Sequence, residues 1–179
     1  MDQKRIWAPW RMAYIAGDGG AAGAAAEPSA WLDGADRHCF LCRAAAQYAD
    51  EAAARRESLV VRTGERTVTL LNRYPYNNGH LLLAPRRHVG AFHELSDDEH
   101  LEAARTLVHF TVRLSELIRA EGFNIGLNLG RVAGAGVPGH LHWHLVPRWQ
   151  GDANFMPVTA DARVISQSLE ALWQAVVED

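Results

Sequence analysis

Apolar and polar positions follow two different periods along this chain, and the places where the period changes outline its elements. Residues 58–62 and 66–72 alternate or run β-branched, the pattern of strands. The second run ends at Asn72-Arg73-Tyr74-Pro75, where a residue without a backbone N–H stops a ladder. Asn77-Asn78-Gly79 then supplies turn chemistry ahead of the apolar run 80–84, which predicts a third strand hairpinned on the second. Beyond it the spacing becomes three and four, at Leu101, Ala104, Leu107, Val108, Thr111, Leu114 and Ile118. Ser96 and Glu99 form a capping box in front of this run and Gly122 reads as its stop, predicting one long helix with a face on the sheet. Alternation returns at 123–129 and 140–147, two further strands joined by a glycine-rich loop. Residues 162–177 repeat apolar side chains at Ile165, Leu169, Leu172, Trp173 and Val176, an amphipathic C-terminal helix, and the Ala-rich, charged stretch 43–57 predicts a short surface helix. Five strands in hairpin-like order with one long and two shorter helices predict an α+β fold, with the helices on one face of an antiparallel sheet.

The remaining segments carry no such period. Residues 4–15 gather Trp7, Trp10 and Tyr14 around Pro9, a stretch too short and proline-broken to be a core element alone, and it is expected to fold over something else. Residues 17–28 are nearly all Gly and Ala, which cannot bury enough surface to order themselves, and read as a flexible insert. The expected layout is an N-terminal arm and insert over 1–37, one domain over 38–160, and a C-terminal helix packed on it over 161–179. A chain of 179 residues with 48% apolar and 22% charged residues suits a single domain with a substantial core. A net charge of −3 and the lack of a basic run argue against long nucleic acid as a partner, while small nucleotides remain open. No apolar run approaches the roughly 18 residues of a membrane span, and the N-terminus lacks the basic-then-apolar order of a secretory signal. The expected location is the cytoplasm, with no membrane partner.

Two groups of residues turn the reading from fold to chemistry. His140, His142 and His144 fall at alternate positions, and a strand rise of roughly 3.3 Å per residue would line all three on one face. Leu141, Trp143 and Leu145 take the other face and anchor the strand on a core. Neutral imidazole can attack phosphorus, ligate a metal or pass a proton, and an unperturbed pKa of about 6.5 keeps that form available in the cell. The glycine-rich run from Gly130 to Gly139 lies just upstream, and such a backbone can turn successive N–H groups toward an anion, so beside the histidines it reads as a phosphate cradle. Cys39 and Cys42, the only cysteines, stand as Cys-x-x-Cys. In a reducing compartment such a pair is metal-binding or catalytic more often than a disulfide, and it supplies half of a tetrahedral zinc site. A redox pair and two buried free thiols are the other readings. His100 and His109, on the long helix, have no partner pattern and read as structural.

The run His140-Leu141-His142-Trp143-His144-Leu145-Val146 resembles the histidine-triad motif of nucleotide hydrolases and transferases. Residues 71–88 (LNRYPYNNGHLLLAPRRH), 123–130 (FNIGLNLG) and 151–156 (GDANFM) extend the likeness toward the diadenosine polyphosphate phosphorylase and hydrolase branch, across residues 58–160. The resemblance implies the histidine-triad version of the α+β fold, a homodimer, and a nucleotide or dinucleoside polyphosphate substrate. It implies His142 as a nucleophile that attacks the α-phosphorus and forms a nucleotidyl-histidine, splitting one hard displacement into two easier ones. His144 and the loop at Gly134 and Gly136 would hold phosphoryl charge. Asn72 would contact the ribose, although an asparagine at a strand end is equally a turn former, and Asn128 would lie near the scissile phosphate. Related triad proteins and the galactose-1-phosphate uridylyltransferases pair a Cys-x-x-Cys with a histidine after a Pro-x-x step and with the first triad histidine. That implies a structural zinc on Cys39, Cys42, His88 and His140.

The branch further implies phosphate as co-substrate and thus a phosphorylase; water in its place would make a hydrolase. An adenosine phosphoramidase and a nucleotide-binding regulator with little turnover are the alternatives. The chain departs from the family pattern at Val137, where Ser or Thr is common, and at Gly136, where glutamine or a small polar residue is common. A side-chain donor to the leaving group is therefore missing from the loop.

Overall fold

The computed structural model describes residues 27–152 and 167–178. The aromatic arm expected at 4–15, nearly all of the flexible insert and the start of the C-terminal helix lie outside the described residues. Five strands form one antiparallel sheet: β1 (Val60–Thr63), β2 (Thr67–Leu71), β3 (Leu81–Pro85), β4 (Gly122–Leu127) and β5 (Trp143–Arg148), in the spatial order β1-β2-β3-β5-β4. Around it stand α1 (Phe40–Ala45), α2 (Glu51–Glu57), the long α3 (Asp97–Ile118) and the C-terminal α4 (Leu169–Val176).

Every residue of β2 and β3 is buried, because both faces of the sheet centre are covered. On one face Leu71, Leu81 and Leu145 pack against Phe110 and Leu114 of α3 and Leu172 and Val176 of α4. A fully buried side chain of this size is worth about 1.5–3 kcal/mol in transfer from water. On the other face Val68, Leu70, Leu82 and Ala84 pack against Leu41 and Cys42 of α1. Leu82 stands directly across from His144 in the ladder, so α1 lies on the histidine face. The two large helices share the opposite face, as the sequence predicts, and α1 adds a small layer beside the histidines.

The single surface helix expected at 43–57 is instead two helices. The chain leaves α1 after Ala45, Gln47 forms a bridge with Ala30, and Asp50 caps α2 by accepting from the Ala53 N–H. Nor is α1 a surface element: Leu41, Cys42 and Ala45 are all buried, the small alanines allowing close approach to the sheet. Trp31, Leu32 and Ala35, within the stretch expected as an arm, pack on the same cluster.

The capping box at Ser96 and Glu99 forms in both directions. The helix stops earlier than Gly122, at Arg119 in the left-handed region (φ 54°), and Gly122 opens β4. Its buried stripe runs through Ala103, Thr106, Phe110 and Leu114. Leu101 and Val108, expected to face the sheet, are 48% and 64% exposed. His109 has a partner after all: its Nε2 meets the Glu178 carboxylate at 2.5 Å, while the Glu178 N–H bonds the Val61 carbonyl and ties the chain end to β1. No helix among the described residues is long and apolar enough to cross a membrane.

Candidate active site

The ladder of β5 begins at Trp143, so His140 and His142 precede it. Their alternation persists nonetheless. The Leu141 N–H bonds the Val89 carbonyl at 2.7 Å, which sends Leu141 into the core with Trp143 and leaves the histidines on the opposite face. His142 is 8% exposed, and its Nδ1 lies 2.9 Å from the His140 carbonyl oxygen. A carbonyl can only accept, so Nδ1 carries the proton and Nε2 presents a lone pair.

His144 takes the opposite tautomer. The Tyr76 N–H donates to His80 Nδ1 at 3.0 Å, and the Asn72 side-chain amide lies 3.2 Å from the same atom. With Nδ1 accepting, His80 carries its proton on Nε2 and donates it to His144 Nδ1 at 2.9 Å. His144 therefore keeps its own proton on Nε2, a buried atom with no hydrogen-bond partner among the described residues. Burial, reinforced by the neighbouring imidazoles, lowers the pKa of His80 to about 3 and that of His144 to about 4, so both are neutral at cellular pH. The His142 and His144 rings stand 5.1 Å apart.

At the other end of the row, His140 is fully buried beside the two thiols. Cys39 Sγ and Cys42 Sγ lie 3.3 and 3.4 Å from His140 Nδ1, and Cys42 Sγ lies 3.2 Å from His88 Nδ1. The ligand atoms of Cys39, Cys42, His88 and His140 all fall within 4.8 Å of one another, a set that could hold a metal ion. His140 Nε2 donates to the Pro85 carbonyl at 2.9 Å, which turns the Nδ1 lone pair toward the sulfurs. That outer hydrogen bond is the usual way a ligating histidine is oriented. Both cysteines are free thiols, and burial pushes that of Cys42 up to about 12 in the absence of a positive charge.

The glycine loop lies along the rim. Asn128 sits just past β4, its amide 3.5 Å from the Gly134 carbonyl, and the Gly134 and Ala135 N–H groups bond inside the loop, to Arg131 and Gly130. Gly134 is left-handed (φ 89°), a conformation that costs other residues more. Val137, where the resemblance leads one to expect Ser or Thr, packs on the α1 cluster. A valine there adds to the core near the thiols.

The HIT domain family model matches residues 54–151. The chain belongs to the HIT family. Over 175 residues it is 38% identical to an AP-4-A phosphorylase of Mycobacterium tuberculosis, a match covering 93% of this chain and 78% of that protein. It is thus a histidine-triad enzyme with nucleotide-related chemistry. A second relative, adenosine 5′-monophosphoramidase hnt1 of Schizosaccharomyces pombe, is 31% identical over 82 residues, 46% of this chain and 58% of the other. A zinc-bound histidine triad family protein from Mycobacterium smegmatis shares the fold, with a TM-score of 0.55 at 23% identity over 66% of this chain and 80% of that one.

One polar member of the HIT site went unread in the sequence. His80 looks there like the polar first residue of an apolar strand, yet it is the group that sets the His144 tautomer. A signal was present, since His80 has the same parity as Leu82 and Ala84 and so belongs to the histidine face. Asn72 is held as a turn former, its Oδ1 accepting from the Tyr74 N–H, and it also steadies His80.

Proposed function

We propose that this HIT enzyme is a diadenosine tetraphosphate phosphorylase-like nucleotidyltransferase that works through a nucleotidyl group on His142. The observation that carries the reading is the pair of opposed tautomers, a lone pair on His142 Nε2 beside a proton on His144 Nε2. His142 Nε2 attacks the α-phosphorus, the bond to the bridging oxygen breaks, and ATP leaves. The His140 carbonyl stabilises the positive charge that develops on the His142 ring. His144 Nε2–H donates to the phosphoryl oxygens as their charge grows, the kind of preorganised donor that contributes most to such steps. Phosphate oxygen then attacks the same phosphorus, forming ADP and restoring the His142 lone pair. Asn72, Asn128 and the loop at Gly134 and Gly136 line the approach to the nucleotide.

The likeness to the phosphorylase over nearly the whole chain favours phosphate over water as the second nucleophile. The site formed by Cys39, Cys42, His88 and His140 fits zinc by its donor set, its spacing and the orientation of His140. Bound there, zinc would crosslink α1 to the base of the triad and take no part in the chemistry. A homodimer is supported by the outer edge of β4, the last strand in the order, together with the exposed Leu101, Val108 and Val112 on α3. A close Cys-x-x-Cys pair given to a metal and not to a disulfide accords with a reducing, cytoplasmic setting.

The test is product analysis. Purified protein with diadenosine tetraphosphate and phosphate should give ADP plus ATP, with turnover falling sharply when phosphate is withheld. AMP plus ATP at one rate in both conditions would assign a hydrolase instead.

A further inference from the structure

The stretch 151–156 belongs to the phosphorylase-like pattern, yet none of its residues has a part in the chemistry above. Asp152 lies just past β5 with a side chain only 9% exposed, and its carboxylate is densely occupied. Oδ1 accepts from Arg148 Nη2 at 2.8 Å; Oδ2 accepts from Arg148 Nε at 2.5 Å, from the Trp149 N–H at 3.2 Å and from Asn77 Nδ2 at 2.8 Å. Asn77 is the first residue of the turn that delivers His80. Its Nδ2 also donates to the Pro147 carbonyl at 3.1 Å, and its own carbonyl accepts the His80 N–H at 3.2 Å. Gly79, in the same turn, has a positive φ of 76° and sits so close that an added Cβ would meet Ile118 Cδ1 at 2.8 Å and Pro147 Cγ at 3.1 Å. The turn before β3 is thus seated on the end of β5. Asn78 Nδ2 also donates to Gln167 Oε1 at 2.8 Å and the Tyr76 ring stacks on His80 and His144, while the Asn77 side chain ties the turn to the end of β5 through Asp152 and the Pro147 carbonyl.

We propose that Asp152 is a positioning residue for the His80–His144 pair, locking the turn that delivers His80 onto the strand that delivers His144. It touches no reacting atom. Its effect travels through Asn77 to His80 and ends at the proton on His144 Nε2. The orientation of His80 depends on a backbone donor, Tyr76 N–H, that belongs to the same turn, so a turn that shifts loses donor and ring together. A hydrogen bond of 2.9 Å between two imidazoles tolerates little displacement before it lengthens beyond use. Without it, His144 is free to carry its proton on either nitrogen, and in half of its arrangements none points into the site. This inference rests on the reading that His144 donates to the phosphoryl oxygens.

The test takes the full-length protein with Asp152→Ala, Asn77→Ser and His80→Gln, singly and combined, and uses two readouts. Long-range nitrogen-15 spectra of the imidazoles at neutral pH report the tautomer directly. His144 should be the Nε2–H form in the parent and a mixture in Asp152→Ala. In turnover of diadenosine tetraphosphate with phosphate, Asp152→Ala should lower kcat about tenfold with KM altered less than about threefold, since it affects the reacting complex more than substrate capture. Placed on His80→Gln, the same substitution should cost less than about twofold, because the group it acts through is already gone. Unchanged tautomer signals in Asp152→Ala, or an equal loss with and without His80, would overturn the proposal. If Asp152→Ala does not fold, Asn77→Ser removes the same tie while keeping the Arg148 pair, and both readouts apply to it. Absence of turnover in the parent would count against the phosphorylase reading alone, with the ring spectra still deciding the role of Asp152.

Discussion

His140 and His144 share a face, a residue type and a strand period, yet their environments give them opposite chemistry. His140 sits among sulfurs, its Nε2 proton fixed on Pro85 and its Nδ1 lone pair turned inward. His144 accepts a hydrogen bond from His80 on Nδ1 and keeps its own proton on Nε2, a buried atom with no hydrogen-bond partner among the described residues. Between them, His142 borrows the backbone of one neighbour and the ring of the other. The difference teaches that the alternating motif supplies three identical side chains, while the partners behind each ring set them apart, and the proposed division into structural, attacking and donating roles follows from those partners.

The comparison breaks most severely at the middle residue. Replacing His142 with Ala removes the proposed attacking atom without creating a large core void, so turnover should fall by more than about a thousandfold, some 4 kcal/mol of barrier. Thermal stability and mononucleotide binding should change little. A variant keeping more than about a tenth of the parent rate would mean that another group attacks.

At the sulfur end the effect should appear in stability. Cys39→Ser with Cys42→Ser, or exhaustive chelation, should destabilise the fold by about 3 kcal/mol or more, roughly 10 °C in melting temperature. The rate per folded molecule should drop much less. Elemental analysis of protein purified without added metal should find about one zinc per chain; under a few tenths of an equivalent would remove the metal from the account.

His80→Gln sharpens the contrast from the other end. It should lower kcat by about ten- to a hundredfold, about 1.4–2.7 kcal/mol of barrier, with stability nearly kept. Equal losses in kcat and in metal content would show that the two ends are not separate.

The smallest effect is a pH dependence of stability. The unfolded chain takes up protons on these imidazoles near pH 6.5, whereas burial holds the folded His80 neutral to about 3 and His144 to about 4. The unfolded state therefore binds more protons throughout that window, and stability is complete above about pH 6.5 and is lost as pH falls toward 3. His80 alone should account for at least about 1.4 kcal/mol between pH 7 and pH 4, the worth of one pKa unit. Melting curves across that range check it, and His80→Gln should flatten the slope.

Much of this was legible in the sequence because it is local. The triad alternation, the Ser96–Glu99 capping box and the five strand patterns depend on residues a few positions apart, and all appear in the structure. The zinc-type grouping was legible only through family likeness, since Cys39 and His140 stand 101 residues apart. His80 escaped because its meaning depends on β3 lying beside β5, which no local period reveals. The stripe on α3 was misplaced for a different reason. That helix carries apolar residues on more than one side, and hydropathy alone does not say which side meets the sheet. The sequence shows at Val137 only that a side-chain donor is missing, and its packing on the α1 cluster adds a use for the apolar side chain that only tertiary contact discloses.

The claim on which the rest depends is that His142, of all the histidines on that face, forms the covalent bond to phosphorus. It is tested most directly by mixing the protein with diadenosine tetraphosphate in the absence of phosphate, quenching within the first turnover and mapping the modified residue by mass spectrometry. The expected result is a nucleotidyl group on the peptide at His142, formed at least as fast as steady-state turnover and discharged as ADP when phosphate is added. A modification on His144 or His80, or turnover that proceeds with no covalent species at all, would contradict it.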